Sequence, residues 1–139
     1  MIQKVSSDDL IAYNKIIKEI DENEVLNNDL LKHPFYNYIK YVDKDKIVAV
    51  LKYSIIYDRI EIDYVYVLPD YRHMKIGSKL VCYIIENNID NFNISLEVRV
   101  SNIGAIKMYE KLGFKKLIVR KNYYGNEDAI IYVRGDNNE

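Results

Sequence analysis

The chain has 139 residues, 49% of them apolar, and its 20 basic and 21 acidic side chains leave a net charge of -1. That length and unbroken composition fit one domain, residues 1–134, with a loose tail over residues 135–139. The near-neutral balance excludes a protein built to coat nucleic acid. The longest apolar run, Ile47 to Leu51, is far short of the ~20 residues of a membrane helix. Asp8 and Asp9 fall where a signal peptide would be apolar, so the expected compartment is the cytoplasm. The lone Cys82 has no disulfide partner, and His33 and His73 lack a second ligand at metal-site spacing, so no metal is expected.

In chain order, Ser6 or Ser7 precedes Leu10, Ile11, Ile16, Ile17 and Ile20, which predicts a capped amphipathic helix, and a second short helix is expected over Glu24 to Lys32. Three runs rich in β-branched and aromatic residues follow: Phe35 to Val42, Ile47 to Tyr57 and Ile60 to Val67. Links as short as these predict consecutive antiparallel strands. After Pro69-Asp70, the stripe Ile76, Leu80, Val81, Ile84 and Ile85 predicts a helix ending near Asn87-Asn88. Phe92, Ile94, Leu96, Val98 and Val100 then alternate with Asn93, Ser95, Glu97 and Arg99, which puts Glu97 on the polar side of a strand, free to face a cleft.

A helix capped by Ser101 or Asn102 is expected to run to Leu112, with Gly113 as its left-handed stop, before a hairpin of Phe114 to Tyr124 and Asp128 to Arg134 around Gly125. Helical crossovers between strands make part of the sheet parallel, so the fold class is α/β (α+β).

Val65-Tyr66-Val67-Leu68-Pro69 leads from a strand into Arg72-His73-Met74-Lys75-Ile76-Gly77-Ser78 at a helix start. Free amides and the helix dipole make such a turn a ready phosphate site, Gly77 permits close backbone approach, and Arg72 and Lys75 add cationic donors. An ordinary loop with surface cations reads the same way.

This stretch resembles motif A of the GNAT superfamily of acyl-CoA-dependent N-acetyltransferases, R/Q-x-x-G-x-G/A, with Lys75 standing where the first glycine is usual. Leu96-Glu97-Val98-Arg99, Asn102, Ala105 and Tyr109-Glu110 through Gly113-Phe114 look like a second segment of that superfamily, most closely in its RimI-type ribosomal-protein alanine N-acetyltransferases. Arg120-Lys121-Asn122-Tyr123-Tyr124 and Glu127-Asp128-Ala129-Ile130-Ile131 resemble the elements that mark that subgroup.

The resemblance implies the GNAT fold, a mixed central sheet of six to seven strands flanked by four helices. It further implies acetyl transfer from acetyl-CoA to the N-terminal amine of a protein, a ribosomal protein among the candidates. Glu97 becomes the proton acceptor and Tyr109 the donor to the departing thiolate. Val65, Tyr66, Val67, the 72–78 loop, Asn102 and Tyr109 become cofactor contacts. Arg120, Tyr123, Tyr124 and Glu127 are expected to border the acceptor entrance. An acceptor of the polyamine or aminoglycoside kind, or a CoA-holding module without chemistry, are the alternatives.

The chemistry is consistent with an N-terminal acceptor. An α-amine of pKa about 7.7–8.0 is roughly a tenth neutral at pH 7, whereas a lysine near about 10.4 has less than about one part in a thousand. Deprotonation therefore costs about 1 kcal/mol in the first case and about 4 to 5 in the second, and a modest base is enough.

Overall fold

The computed structural model describes residues 1–88, 93–123 and 125–135. The three β-branched runs become β2 (Tyr36–Asp43), β3 (Lys46–Ile56) and β4 (Arg59–Val67), antiparallel neighbours. Lys44 and Asp45, both at positive φ (51° and 65°), make the first link a two-residue turn whose twist matches that of the strands. β5 (Asn93–Arg99) lies parallel to β4, and β7 (Ala129–Arg134) inserts between β5 and β6 (Lys115–Arg120). With β1 (Ile2–Lys4) on the far edge, the seven-stranded sheet has the order β1-β2-β3-β4-β5-β7-β6.

Helices cover both faces. α3 (Ile76–Asn87) and α4 (Ile103–Lys111) bury Ile76, Leu80, Val81, Ile84 and Tyr109 in one core with Leu51, Ile60, Ile62, Leu96 and Phe114. α1 (Leu10–Ile17) buries Tyr13, Ile16 and Ile17 on the other face with Tyr38 and Val50, and α2 (Asn28–Leu31) packs Leu30 and Leu31 against the same cluster. This is the mixed sheet with four flanking helices that the resemblance implies.

Several boundaries differ from expectation. β1 has three residues and one apolar side chain, Ile2, too little pattern for recognition, and exists because it pairs with Ile39 to Tyr41 of β2. Ser6 precedes the first helical turn as expected, its amide donating to the Asp9 carboxylate at 2.8 Å, but α1 turns Ile11 to solvent and stops at Ile17, before the exposed Ile20. Tyr13 takes the buried place instead, its hydroxyl 2.6 Å from that of Tyr64. α2 is only four residues long, capped by the Asn27 side chain, rather than spanning 24–32.

Asn102, not Ser101, caps α4, and Gly113 is left-handed (φ 94°) as expected. Phe114 is core rather than strand, and β6 ends at Arg120. Phe92 lies outside the described residues, and Val100 lies beyond the end of β5. Among the described residues, no helix is long and apolar enough to cross a membrane.

Candidate functional site

On one edge β4 pairs with β3 from end to end. On the other it pairs with β5 for only four positions, Arg59↔Asn93 to Ile62↔Leu96, although both strands continue. At the same point the β3 register shifts from Tyr53↔Ile62 to Lys52↔Tyr64, which leaves Asp63 as an extra residue in β4. A bulge bends its strand and ends pairing, so the bulge and the parting of β4 from β5 are one feature.

The parting leaves backbone groups open. Leu68 donates its amide to Val48 of β3 at 2.9 Å, and Tyr66, opposite Val50, has the same parity. Val65 and Val67 therefore turn their amides and carbonyls toward the gap. The Val67 carbonyl is taken by Arg72 Nε at 2.9 Å. An extended ligand could bond to the remaining groups as an added strand. Of the three residues expected to do this, Tyr66 has its backbone committed to the sheet, while its ring lies beneath the Arg72 guanidinium at 5.3 Å.

After a single 3-10 turn at Pro69–Tyr71, the chain enters α3 through a loop in which His73 and Lys75 are both left-handed (φ 67° and 63°). Lys75 thus adopts the conformation that the usual glycine would take freely, at a cost of roughly 1 kcal/mol or more for a side-chain-bearing residue. Entry into the helix does require positive φ here. Arg72, His73, Met74 and Lys75 are exposed, whereas Ile76 is a core residue at 6% exposure. A Cβ on Gly77 would meet the Met108 Sδ at 3.5 Å, ordinary contact, so packing does not demand glycine there. Ser78 follows in the first turn of α3, half-buried.

Glu97 lies at the parting. It lines a cavity of about 260 Å³ with Glu61, Ile62, Asp63 and Tyr123. Arg120 donates to its Oε1 at 2.9 Å, and the guanidinium sits 4.7 Å from the Tyr123 ring centroid. Burial pushes the Asp63 carboxyl above its usual range, against the pull of Lys52, whose Nζ is 3.7 Å away. Glu61 and Asp63 are the residues that sequence reading missed: Glu61 alternates with the buried Ile60 and Ile62 like any solvated acid, and a bulge has no local signal. A charge beside the short Asp58-Arg59 turn invites no other reading.

Tyr109 is buried, edge-to-face with Phe114 at 5.6 Å, in the core cluster that also holds Val65, Val67 and Ile76. Burial pushes its phenol up to about 12. Its hydroxyl bonds to no described group. Asn102 uses its Oδ1 to accept from the Ala105 amide at 3.2 Å, which leaves the side-chain NH₂ for any ligand.

The four residues expected at the acceptor entrance divide. Arg120 and Tyr123 meet Glu97, whereas Glu127 accepts from the Ser101 amide at 3.0 Å and from Arg99 at 3.1 Å, lining a separate cavity of about 400 Å³ with Val100 and Asp128. Hydrogen bonds from Ser101 hold the Glu127 carboxyl below its usual range. Tyr124 lies outside the described residues.

The acetyltransferase (GNAT) family model matches residues 4–114. The [ribosomal protein bS18]-alanine N-acetyltransferase of Salmonella typhimurium is 33% identical over 102 residues, 69% of each chain. An N-alpha-acetyltransferase of Saccharolobus solfataricus is 44% identical over 72 residues, 49% of this chain and 43% of that one. The crystal structure of the ribosomal-protein-S18-alanine N-acetyltransferase of Escherichia coli superposes with a TM-score of 0.83 at 26% identity, covering 100% of this chain and 97% of the other.

Proposed function

The chain belongs to the GNAT family of N-acetyltransferases, and we propose that it transfers the acetyl group of acetyl-CoA to the α-amine at a protein N-terminus, with a ribosomal protein as the first acceptor to test. The observation that carries this reading is the 33% identity, over 69% of both chains, to an enzyme that acetylates an alanine of ribosomal protein bS18. Such an acceptor sets the work in the cytoplasm.

The residues present suit acetyl-CoA. The open Val65 and Val67 groups fit an amide-rich pantetheine arm, and the amides at the start of α3, flanked by exposed Arg72 and Lys75, fit its phosphates. Met74 lies at the loop's exposed tip, and the Asn102 amide is free for a polar contact. When bound, acetyl-CoA supplies an activated thioester. The protein's share is to orient it, receive one proton and give one.

Glu97 is the proton acceptor in this reading. Arg120 orients its carboxylate from one side, and the cavity leaves the other side for an incoming amine. Tyr109 is the donor to the departing sulfur. A phenol near about 12 facing a thiol of about 8.5 makes complete transfer uphill by about 5 kcal/mol, compared with about 2 for an ordinary phenol. Tyr109 therefore acts by a shared hydrogen bond, with transfer late if it completes. An open β4 amide is a donor for charge developing on the carbonyl oxygen.

The test is thiol release from acetyl-CoA with peptides beginning in Ala or Ser and, separately, with spermidine. Peptide-dependent release with mass-verified N-terminal acetylation is expected. Turnover of spermidine alone would replace the peptide assignment. Tyr109→Phe is expected to lower turnover by about 10²-fold. Acetyl-CoA binding, measured by calorimetry, should stay at the wild-type level in that variant.

A further inference from the structure

The cavity at the parting is more acidic than acceptance of one proton requires. Three carboxylates reach it, Glu61 and Asp63 from β4 and Glu97 from β5, and they are unequally neutralised. Glu97 has the Arg120 guanidinium at 2.9 Å. Asp63 has Lys52 only at 3.7 Å, and that ammonium also lies 4.4 Å from the Tyr36 ring centroid, held to one side by an aromatic face. Glu61 is exposed and has no ion pair among the described residues.

A second observation comes from β2. Tyr38 is 6% exposed, and its hydroxyl is the only buried side-chain polar atom without a hydrogen-bond partner among the described residues. Asp63, Glu24 and Tyr36 lie close enough to act on that hydroxyl electrostatically. An enclosed hydroxyl without a partner is a polar group that the fold leaves unsatisfied.

We infer that Glu61 and Asp63 are specificity-determining residues that select acceptors with positive charge immediately behind the N-terminal amine. The inference rests on the peptide-acceptor reading and narrows it. With the amine at Glu97, a cavity of about 260 Å³ brings the next residues of an acceptor beside Asp63 and Glu61. Lysine or arginine there meets the under-neutralised carboxylates, and an acidic residue is repelled by them. The amine itself reacts as on any acceptor: its nitrogen forms the amide bond, the carbon–sulfur bond breaks, Glu97 receives the amine's proton and the sulfur leaves as a thiolate hydrogen-bonded to Tyr109, which hands it a proton late.

The experiment uses three peptides identical except at positions two and three: Ala-Lys-Lys, Ala-Gln-Gln and Ala-Glu-Glu. The wild-type kcat/KM should rank them in that order, with a span of about tenfold or more, the scale expected for unit charges at cavity range. Raising the salt concentration should compress the span. In the Glu61→Gln, Asp63→Asn double variant it should fall to about threefold or less, the ratio and not the absolute rate being the readout. Equal rates for the three peptides, or an unchanged ratio in the double variant, overturn the inference and leave the peptide-acceptor reading in place. If no peptide is acetylated, that reading fails instead. Calorimetric binding of the same peptides then decides the charge selection alone: ranking by charge sustains it, and equal affinity ends it.

Discussion

From Arg59 to Ile62, β4 is bonded on both edges and buries Ile60 and Ile62; from Asp63 to Val67 it is bonded on one edge only and keeps Val65 and Val67 half-buried against α3 and α4. The same nine residues thus serve as an anchor and then as an open edge. An unpaired edge is normally a hazard, because it invites another strand. Here the open edge lies at the parting from β5, just before the start of α3. The half that anchors the fold is what lets the other half stay open.

The largest effects should separate the two halves. Ile60→Ala, in the anchored half, is expected to cost about 3 kcal/mol of stability by urea unfolding, since its fully buried side chain leaves a cavity. Val65→Pro, in the open half, removes an amide that faces the gap and not β3, so it should cost only about 1 kcal/mol of stability. Its acetyl-CoA affinity should nevertheless fall by about tenfold or more, the worth of a hydrogen bond in a water-poor site. If Val65→Pro unfolds the protein, the assigned backbone parity is wrong.

Alkaline titration sharpens the comparison. The Tyr109 phenol, packed with the open half of β4, is raised from its ordinary 10.0 to about 12, so the unfolded chain loses its proton first. Its contribution is complete below about pH 10 and is lost as pH rises toward 12, amounting to about 2 to 3 kcal/mol. Urea unfolding at pH 8 and pH 11 measures about half of it, roughly 1.4 kcal/mol, and Tyr109→Phe should flatten that part of the loss. An unchanged slope would mean that the phenol is not shielded.

The smallest effect belongs to the loop that begins the site. Lys75→Gly relieves the left-handed strain and should raise stability by about 1 kcal/mol, with acetyl-CoA affinity within about threefold of wild type. A larger loss of affinity would make the Lys75 amine itself a phosphate contact.

Much of this was legible in the residues. The alternation from Ile94 to Val98 placed Glu97 on the cleft side, Asn102 and Gly113 marked both ends of α4, and the stripe from Ile76 to Ile84 marked the buried face of α3. The spacing of Glu97, Asn102 and Tyr109 carried the family. These features are local, because caps, turns and periodicity depend on neighbours a few residues away.

What tertiary structure alone decided involves partners distant in the chain. Arg120 reaches Glu97 across 23 residues, and β7 slots between β5 and β6 although it comes last. Asp63 shares the side of Glu61 by alternation, but only tertiary pairing makes it the bulge residue at which β4 leaves β5. Ile11 and Ile20 look like core but are exposed: Ile11 lies on the face of α1 opposite the buried Tyr13, Ile16 and Ile17, and Ile20 lies beyond the helix end. A sequence states which face each element would bury. Which strand meets which, and where two of them part, is settled by the packing of all of them together, and the candidate site lies at one such parting.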